Sequence, residues 1–131
     1  MPLVTVTPLY AAAIAILMVV LSVRTGLARG KHGIALGDGG VPALTVAIRR
    51  FGNLSEYAAI AVLVLLLMEL KGISAPWLHA YGLTLLALRL LHPFGLHDGT
   101  MPATWQGRAR VVSAAGTVAL LTIGAVALIL P

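Results

Sequence analysis

Four long, nearly uncharged apolar stretches dominate this 131-residue chain and restrict the folds open to it. Only 10% of the residues are charged, whereas soluble domains carry about a quarter. A helix of about 20 apolar residues crosses the hydrocarbon core of a bilayer and satisfies its own backbone hydrogen bonds there. The sequence therefore predicts an all-α integral membrane protein with a single domain over 1–131. The four helices are expected at about 3–23, 42–70, 76–92 and 107–130.

The first stretch is predicted to be a retained membrane helix and not a cleaved leader. No basic residue precedes its apolar run, which is long enough to span a bilayer, and Arg24 follows it. The chain contains no cysteine, so disulfides and thiolate sites are excluded. If thiol chemistry takes place here, the substrate must bring the sulfur.

The cationic side chains are distributed unevenly between the two ends of the predicted bundle. Only Lys71 lies at the end formed by the second connection, and all the others lie at the opposite end, namely Arg24, Arg29, Lys31, Arg49, Arg50, Arg89, Arg108 and Arg110. Cytoplasmic loops carry such an excess of Lys and Arg, so both termini are expected to face away from the cytoplasm. This topology accounts for the net charge of +5. Without a basic stripe that alternates with aromatic residues, nucleic-acid binding is not predicted.

Polar side chains interrupt the second apolar stretch, where Arg49, Asn53 and Glu56 recur at i, i+4 and i+7. This spacing places them on one face of a helix. Ionisable residues inside membranes are costly and usually functional. The structural alternative is a stripe in which Arg49, Asn53 and Glu56 satisfy one another.

Each of the other predicted helices brings a basic residue to the same membrane level, and these residues are Arg24, Arg89, His92, Arg108 and Arg110. Ordinary cytoplasmic anchoring is one explanation. The other is a pocket for an anionic ligand, because the planar Arg side chain pairs with carboxylates through two hydrogen bonds. Glu56 would then hold an amine, which suits a zwitterionic peptide with two carboxylates. A metal site is not predicted, because no helix carries a His pair at i, i+4.

The run from Arg49 to Tyr57, RRFGNLSEY, resembles the second-helix signature of the MAPEG family, the membrane-associated proteins in eicosanoid and glutathione metabolism. The segment GIALGDGG before it and the pair Arg89 and His92 resemble the small bacterial branch of that family. The resemblance implies a homotrimer of four-helix subunits that binds glutathione between neighbouring subunits as a co-substrate. Carried over by position, the glutathione-binding residues would be Arg24, Arg49, Asn53, Glu56, Tyr57, Arg89 and His92.

The resemblance also implies that an Arg near the start of the fourth helix, Arg110 or Arg108, stabilises the glutathione thiolate. The expected function is a membrane transferase or peroxidase that acts on lipophilic electrophiles or hydroperoxides arriving from the lipid. The chain departs from the catalytic pattern where tyrosines are expected. Leu96 stands four residues after His92, and Ala114 and Val112 stand four residues after Arg110 and Arg108.

These departures favour an alternative, a non-enzymatic binding or scaffold protein on the same fold that holds a lipid or an anionic metabolite. A third class, a small proton-coupled exporter, would carry its essential acid in the first helix. The first acidic residue of this chain is Asp38, which follows that helix. The small residues of the fourth stretch, from Ser113 to Ala119, are expected to let helices pack closely.

Overall fold

The computed structural model describes residues 4–99 and 104–130. Four helices follow one another, with a short 3₁₀ helix, η1, before the last: α1 (Thr7–His32), α2 (Pro42–Leu70), α3 (Ala75–Leu91), η1 (His92–Gly95) and α4 (Trp105–Ile129). Within the described ranges no strand occurs, which confirms the prediction of an all-helical chain with four helices. The predicted first residue of the first helix, residue 3, lies outside the described residues, as do residues 100–103 and 131.

Three of these helices, α1, α2 and α4, are long and apolar enough to cross a membrane within the described part of the chain. Helix α3 has 17 residues and is therefore ~26 Å long at ~1.5 Å per residue. This is slightly less than the ~30 Å hydrocarbon core of a bilayer. Helix η1 continues the chain beyond the end of α3.

Helix α1 is longer than predicted and ends at His32, not near residue 23. The sequence predicts a connection after Arg24, but Arg29, Lys31 and His32 form the last turn of the helix. Positive side chains there interact favourably with the carbonyl end of the helix dipole. The helix stops at Gly33, which has a φ of 65° and donates its N–H to the carbonyl groups of Arg29 and Gly30.

Helix α2 has the expected bounds, because Pro42 occupies its first turn and Gly72, with a φ of 85°, follows its end. Leu54, Ala58, Ala61 and Leu65 recur along its buried face and pack in the apolar core between the helices. The close approach of α4 to α3 depends on Gly124. A Cβ atom at this position would lie 2.9 Å from the Tyr81 ring of α3, as expected where small residues let membrane helices approach closely.

Glu69, near the end of α2, holds the beginning of α1. Its carboxylate accepts the backbone N–H groups of Thr5, Val6 and Thr7 at 2.6, 2.7 and 2.7 Å. These are N–H groups that the start of a helix leaves without a partner inside the helix. The contact sets the end of α2 and the start of α1 at the same level. Depths along both helices can therefore be compared from this common point.

Candidate functional site

A cavity of about 510 Å³ lies between the first half of α2, the η1 region and the start of α4. Its volume falls in the range of small-molecule sites. The side chains that bring charge or hydrogen-bonding groups to its wall are Thr45, Arg49, Asn53, His92, His97, Asp98 and Arg110. We call it the basic cavity. It brings together four of the residues that the sequence predicted for a ligand site: Arg49, Asn53, His92 and Arg110.

Helix α2 presents Arg49 and Asn53 to the basic cavity one turn apart, as the i, i+4 spacing predicted. The Asn53 side-chain oxygen accepts a 2.9 Å hydrogen bond from Nη1 of Arg89. Because the oxygen is used in this way, the NH₂ group of Asn53 is the part that can donate to a ligand. Arg49 is 60% exposed in the single chain, so its guanidinium is accessible.

Arg89 lies behind this wall and not in it. It is only 2% exposed. Its Nη2 atom donates to the backbone oxygen of Ser113 at 2.9 Å and to the hydroxyl of Thr117. The Tyr57 ring lies 5.7 Å from the guanidinium carbon, a cation–π distance. Both Nη groups of Arg89 are engaged in joining α2, α3 and α4, and a contact between Arg89 and the ligand stays a prediction.

His92 is held by Ser113 of α4. Nδ1 of His92 lies 2.8 Å from the Ser113 hydroxyl, which donates its proton to the backbone oxygen of Arg110 at 3.1 Å. This pattern makes Nδ1–H of His92 the donor and leaves Nε2 as an acceptor. Nε2 is buried and has no hydrogen-bond partner among the described residues. A ligand N–H or S–H group would supply that partner.

Arg110 reaches the basic cavity because η1 packs directly against the backbone of α4. A Cβ atom on Gly95 would lie 2.6 Å from the backbone nitrogen of Arg110 and 2.8 Å from its Cα atom. Only a glycine permits this contact without displacement. Of the two candidates for the thiolate-stabilising residue, Arg110 lines the cavity, whereas Arg108 is exposed and does not.

The remaining predicted site residues lie elsewhere in the single chain. Arg24 lines a second cavity. Glu56 and Tyr57 follow Asn53 on α2, and neither lines the basic cavity. Glu56 is 54% exposed and lies 3.8 Å from Arg49, oxygen to nitrogen. The predicted stripe of Arg49, Asn53 and Glu56 therefore forms one face, but only its first two members border the basic cavity of one chain.

The sequence predicts Ser113 and Thr117 as small packing residues and gives no sign that their hydroxyls contact His92 and Arg89. It also did not assign His97 to a ligand site. Both ring nitrogens of His97 are buried without a hydrogen-bond partner among the described residues. His92, His97 and Asp98 all border the cavity, yet within residues 4–99 and 104–130 no three His, Asp or Glu side chains form a group that could hold a metal ion.

The loop before α2 is fixed at the cavity rim by Asp38. Its carboxylate accepts the Gly40 N–H at 3.0 Å and the Thr45 hydroxyl at 2.8 Å, and Gly40 and Thr45 both line the cavity. The hydrogen bond from Gly40 and, to a smaller extent, the one from Thr45 hold the pKa of Asp38 below its ordinary value. Asp38 therefore acts as a charged acceptor that holds one side of the cavity entrance.

Together, the apolar helices and the basic cavity at one end define a helical membrane protein with a ligand-sized polar site. The MAPEG family model matches residues 7–129, so the chain belongs to the MAPEG family. It is similar to "Inner membrane protein YecN" of Escherichia coli K12, at 38% identity over 107 residues, which cover 76% of this chain and 82% of the relative. The protein of the same name from Escherichia coli O6:H1 matches to the same extent. No solved structure matches the chain.

Proposed function

We propose that the protein is a glutathione-dependent membrane transferase or peroxidase, with lipophilic electrophiles or hydroperoxides as second substrates. The observation that carries the proposal is the basic cavity, in which Arg49, Asn53, His92 and Arg110 meet from α2, η1 and α4. Glutathione carries two carboxylates, one amine and one thiol. The cavity wall of one chain offers the Arg49 guanidinium for one carboxylate, the Arg110 guanidinium for the thiolate and the Asp98 carboxylate for the amine.

Arg110 is assigned the role of stabilising the thiolate. A nearby cation lowers the pKa of a thiol, and the thiolate is the nucleophile. In the transferase reaction, the sulfur forms a bond to the electrophilic carbon, and the leaving group departs with the electron pair of the broken bond. The thiol proton passes to solvent.

A homotrimer is part of this proposal. Glu56 lies ~20 Å along α2 from Glu69 at ~1.5 Å per residue, which is within the ~30 Å hydrocarbon core. Yet Glu56 and Arg49 are 54% and 60% exposed in the single chain. Charged side chains in a membrane face a protein interior or a water-filled cavity. A neighbouring subunit that covers this face would add Glu56, Tyr57 and a second surface to the glutathione site.

We also propose a bacterial inner-membrane location with both termini away from the cytoplasm. The location is supported by the name of the relative YecN. The orientation is supported by the excess of cations at the end of the bundle that holds the basic cavity.

Glutathione conjugation to a chromogenic aryl halide in proteoliposomes tests the activity. We expect Arg110→Ala to lower kcat/KM about tenfold or more, since it removes a charge that stabilises the thiolate. The matched control is Arg108→Ala, two residues away on the same helix and outside the basic cavity, and it should retain nearly the wild-type rate. Equal losses in both variants would contradict the role of Arg110, and no activity above empty vesicles would contradict an enzymatic role.

A second candidate function, glutathione binding without turnover, is favoured by a specific observation. Leu96 and Ala114 line the basic cavity at the positions where the catalytic relatives are expected to carry tyrosines. Isothermal titration calorimetry separates the two functions. Binding of glutathione that Arg49→Ala weakens, together with no conjugation or peroxidase turnover, would support the binding protein and exclude the enzyme.

A further inference from the structure

A second cavity, of about 230 Å³, lies between α1, α2 and the α3–η1 junction. Helix η1 separates it from the basic cavity, since His92 lines one and Pro93 and Phe94 line the other. Most of its wall is apolar, with Leu17, Val20 and Leu21 from α1. We call it the α1 cavity.

Two guanidinium groups, those of Arg24 and Arg50, also border the α1 cavity, and no carboxylate is among the described residues that line it. Nη2 of Arg50 donates to the backbone oxygen of Leu96 at 2.7 Å. Nε of Arg50 is buried without a hydrogen-bond partner among the described residues. Two like charges at one cavity repel each other, and an anion bound between them would relieve the repulsion.

The depth of these two arginines matches the level of phospholipid headgroups. The bonds from Thr5, Val6 and Thr7 to Glu69 place the start of α1 level with the end of α2. At ~1.5 Å per residue, Arg24 lies ~26 Å from Thr7, and Arg50 lies ~28 Å from Glu69. Both positions are close to the far boundary of a ~30 Å hydrocarbon core.

The apolar part of the α1 cavity lies on the hydrocarbon side of the arginines and is open to the outside of the chain. Leu17, Val20 and Leu21 precede Arg24 along α1 and are therefore deeper in the bilayer. Val20, Leu90 and Phe94 are 46%, 46% and 63% exposed. An acyl chain that lies along these side chains would run from the headgroup level toward the centre of the membrane.

We propose that the α1 cavity binds one anionic phospholipid of the surrounding bilayer. Arg24 and Arg50 pair with its phosphate, and the first part of one acyl chain packs against Leu17, Val20 and Phe94. The volume is below the range of about 300–1,000 Å³ that is usual for complete small-molecule ligands, so the cavity suits part of a lipid better than a whole tripeptide. The α1 cavity shares no lining residue with the basic cavity, and this proposal assigns Arg24 to the lipid and not to glutathione.

The experiment compares the purified protein in nanodiscs of zwitterionic phosphatidylcholine with and without phosphatidylglycerol. Native mass spectrometry counts retained lipids, and a thermal-shift assay measures stabilisation. We expect one retained phosphatidylglycerol and a higher Tm with this lipid than with phosphatidylcholine alone. Arg24→Gln and Arg50→Gln should each weaken phosphatidylglycerol binding about tenfold, the effect of losing one charged hydrogen bond.

Lys31→Gln is the matched control, because Lys31 is an exposed cation at the same end of α1 but outside the α1 cavity. It should bind phosphatidylglycerol as the wild type does. Val20→Trp fills the α1 cavity and keeps both arginines, and it should also weaken phosphatidylglycerol binding. This variant tests the proposal even if Arg50→Gln fails to fold. Three results would overturn the proposal: no preference for phosphatidylglycerol, an equal loss in Lys31→Gln, or equal stabilisation by inorganic phosphate alone.

Discussion

At the scale of single residues, the arginines of this chain differ in what their surroundings leave them free to do. Arg49 and Arg110 border a cavity and can meet a ligand, whereas the Nη groups of Arg89 bond to Asn53, Ser113 and Thr117. These bonds satisfy both Nη groups of the buried guanidinium, while its Nε atom is buried without a hydrogen-bond partner among the described residues. Arg89 therefore positions Asn53, and through it the wall of the basic cavity.

The first prediction concerns the stability that Arg89 provides. Arg89→Met removes the guanidinium and leaves the Asn53 oxygen and the Ser113 carbonyl without this donor. We expect a loss of about 1–3 kcal/mol in the free energy of unfolding. Arg89→Lys should be intermediate, since one ammonium cannot reproduce the planar fork. Unfolding by sodium dodecyl sulfate in mixed micelles measures the free energy of unfolding of each variant. Arg108→Met, at an exposed position, is the control. Wild-type stability of Arg89→Met would refute the structural role.

The second prediction concerns Asp38 and pH. Its pKa is lower in the folded chain than in the unfolded one because Gly40 and Thr45 donate to its carboxylate. The unfolded state therefore takes up the proton first as the pH falls. Above the ordinary pKa of an aspartate, Asp38 contributes its full stabilisation. As the pH falls from there through the lowered pKa of Asp38 in the folded chain, this stabilisation is lost.

Thermal unfolding in detergent between pH 7 and pH 3 tests this. The Tm of the wild type should decline at the acid end more than that of Asp38→Asn, which keeps an acceptor but does not titrate. Asp98→Asn serves as the control, since Asp98 is an exposed carboxyl on another loop. Parallel curves for the wild type and Asp38→Asn would show that Asp38 contributes nothing to the pH dependence.

At the scale of elements, the sequence predicted a helix well where local residues mark both of its ends. Helix α2 was predictable because its apolar run lies between a start signal, Pro42, and a stop signal, Gly72. The end of α1 was not, because cations that mark the membrane surface do not mark the end of a helix. The side chain of Arg29 shows the difference, since it donates to the backbone oxygens of Ala35 and Gly37 and so organises the loop from within the helix.

The same distinction applies to the candidate site. The shared face of Arg49 and Asn53 follows from helical periodicity alone. The position of Arg89 behind the cavity wall does not, because it depends on contacts between residues far apart in the chain. Ser113 and Thr117 lie 24 and 28 positions from Arg89, and nothing local in the sequence indicates that they are its partners.

The third prediction concerns the contact between η1 and α4. Gly95→Ala would place a methyl group 2.6 Å from the backbone nitrogen of Arg110, so α4 must shift. Overpacking of this kind costs about 1–3 kcal/mol, and the displaced Arg110 should weaken glutathione binding as well. The control is Gly26→Ala in α1, where no atom beyond the adjoining residues and backbone of α1 lies within 4 Å of the added methyl group.

Titration calorimetry and unfolding in micelles check both effects. Gly26→Ala should be neutral or slightly stabilising, since alanine favours a helix by about 1 kcal/mol over glycine. Unchanged glutathione affinity in a destabilised Gly95→Ala protein would show that the position of Arg110 is unimportant for the ligand.

At the scale of the whole molecule, one carboxylate is satisfied within the chain and another is not. Glu69 accepts three backbone N–H groups and is buried. Glu56, which lies ~20 Å along α2 from Glu69, is half exposed, and its one ion pair within the described part of the chain is the 3.8 Å contact with Arg49. A helix face with this much unsatisfied charge is poorly suited to lipid, whereas the outer faces of α1 and α4 are apolar. The face of Arg49 and Glu56 is therefore where we expect the proposed trimer to form.

The fourth prediction follows from this difference. Glu56→Ala should weaken self-association in nanodiscs or mild detergent, measured by mass photometry and by crosslinking in membranes. It should hardly change the stability of one subunit, because an exposed ion pair contributes at most about 1 kcal/mol. Thr84→Ala, an exposed polar position on α3, is the control. Because a shared glutathione site would need the same face, glutathione should strengthen the wild-type oligomer and not that of Glu56→Ala. A wild-type protein that remains monomeric in membranes would rule out both the trimer and a ligand site between subunits.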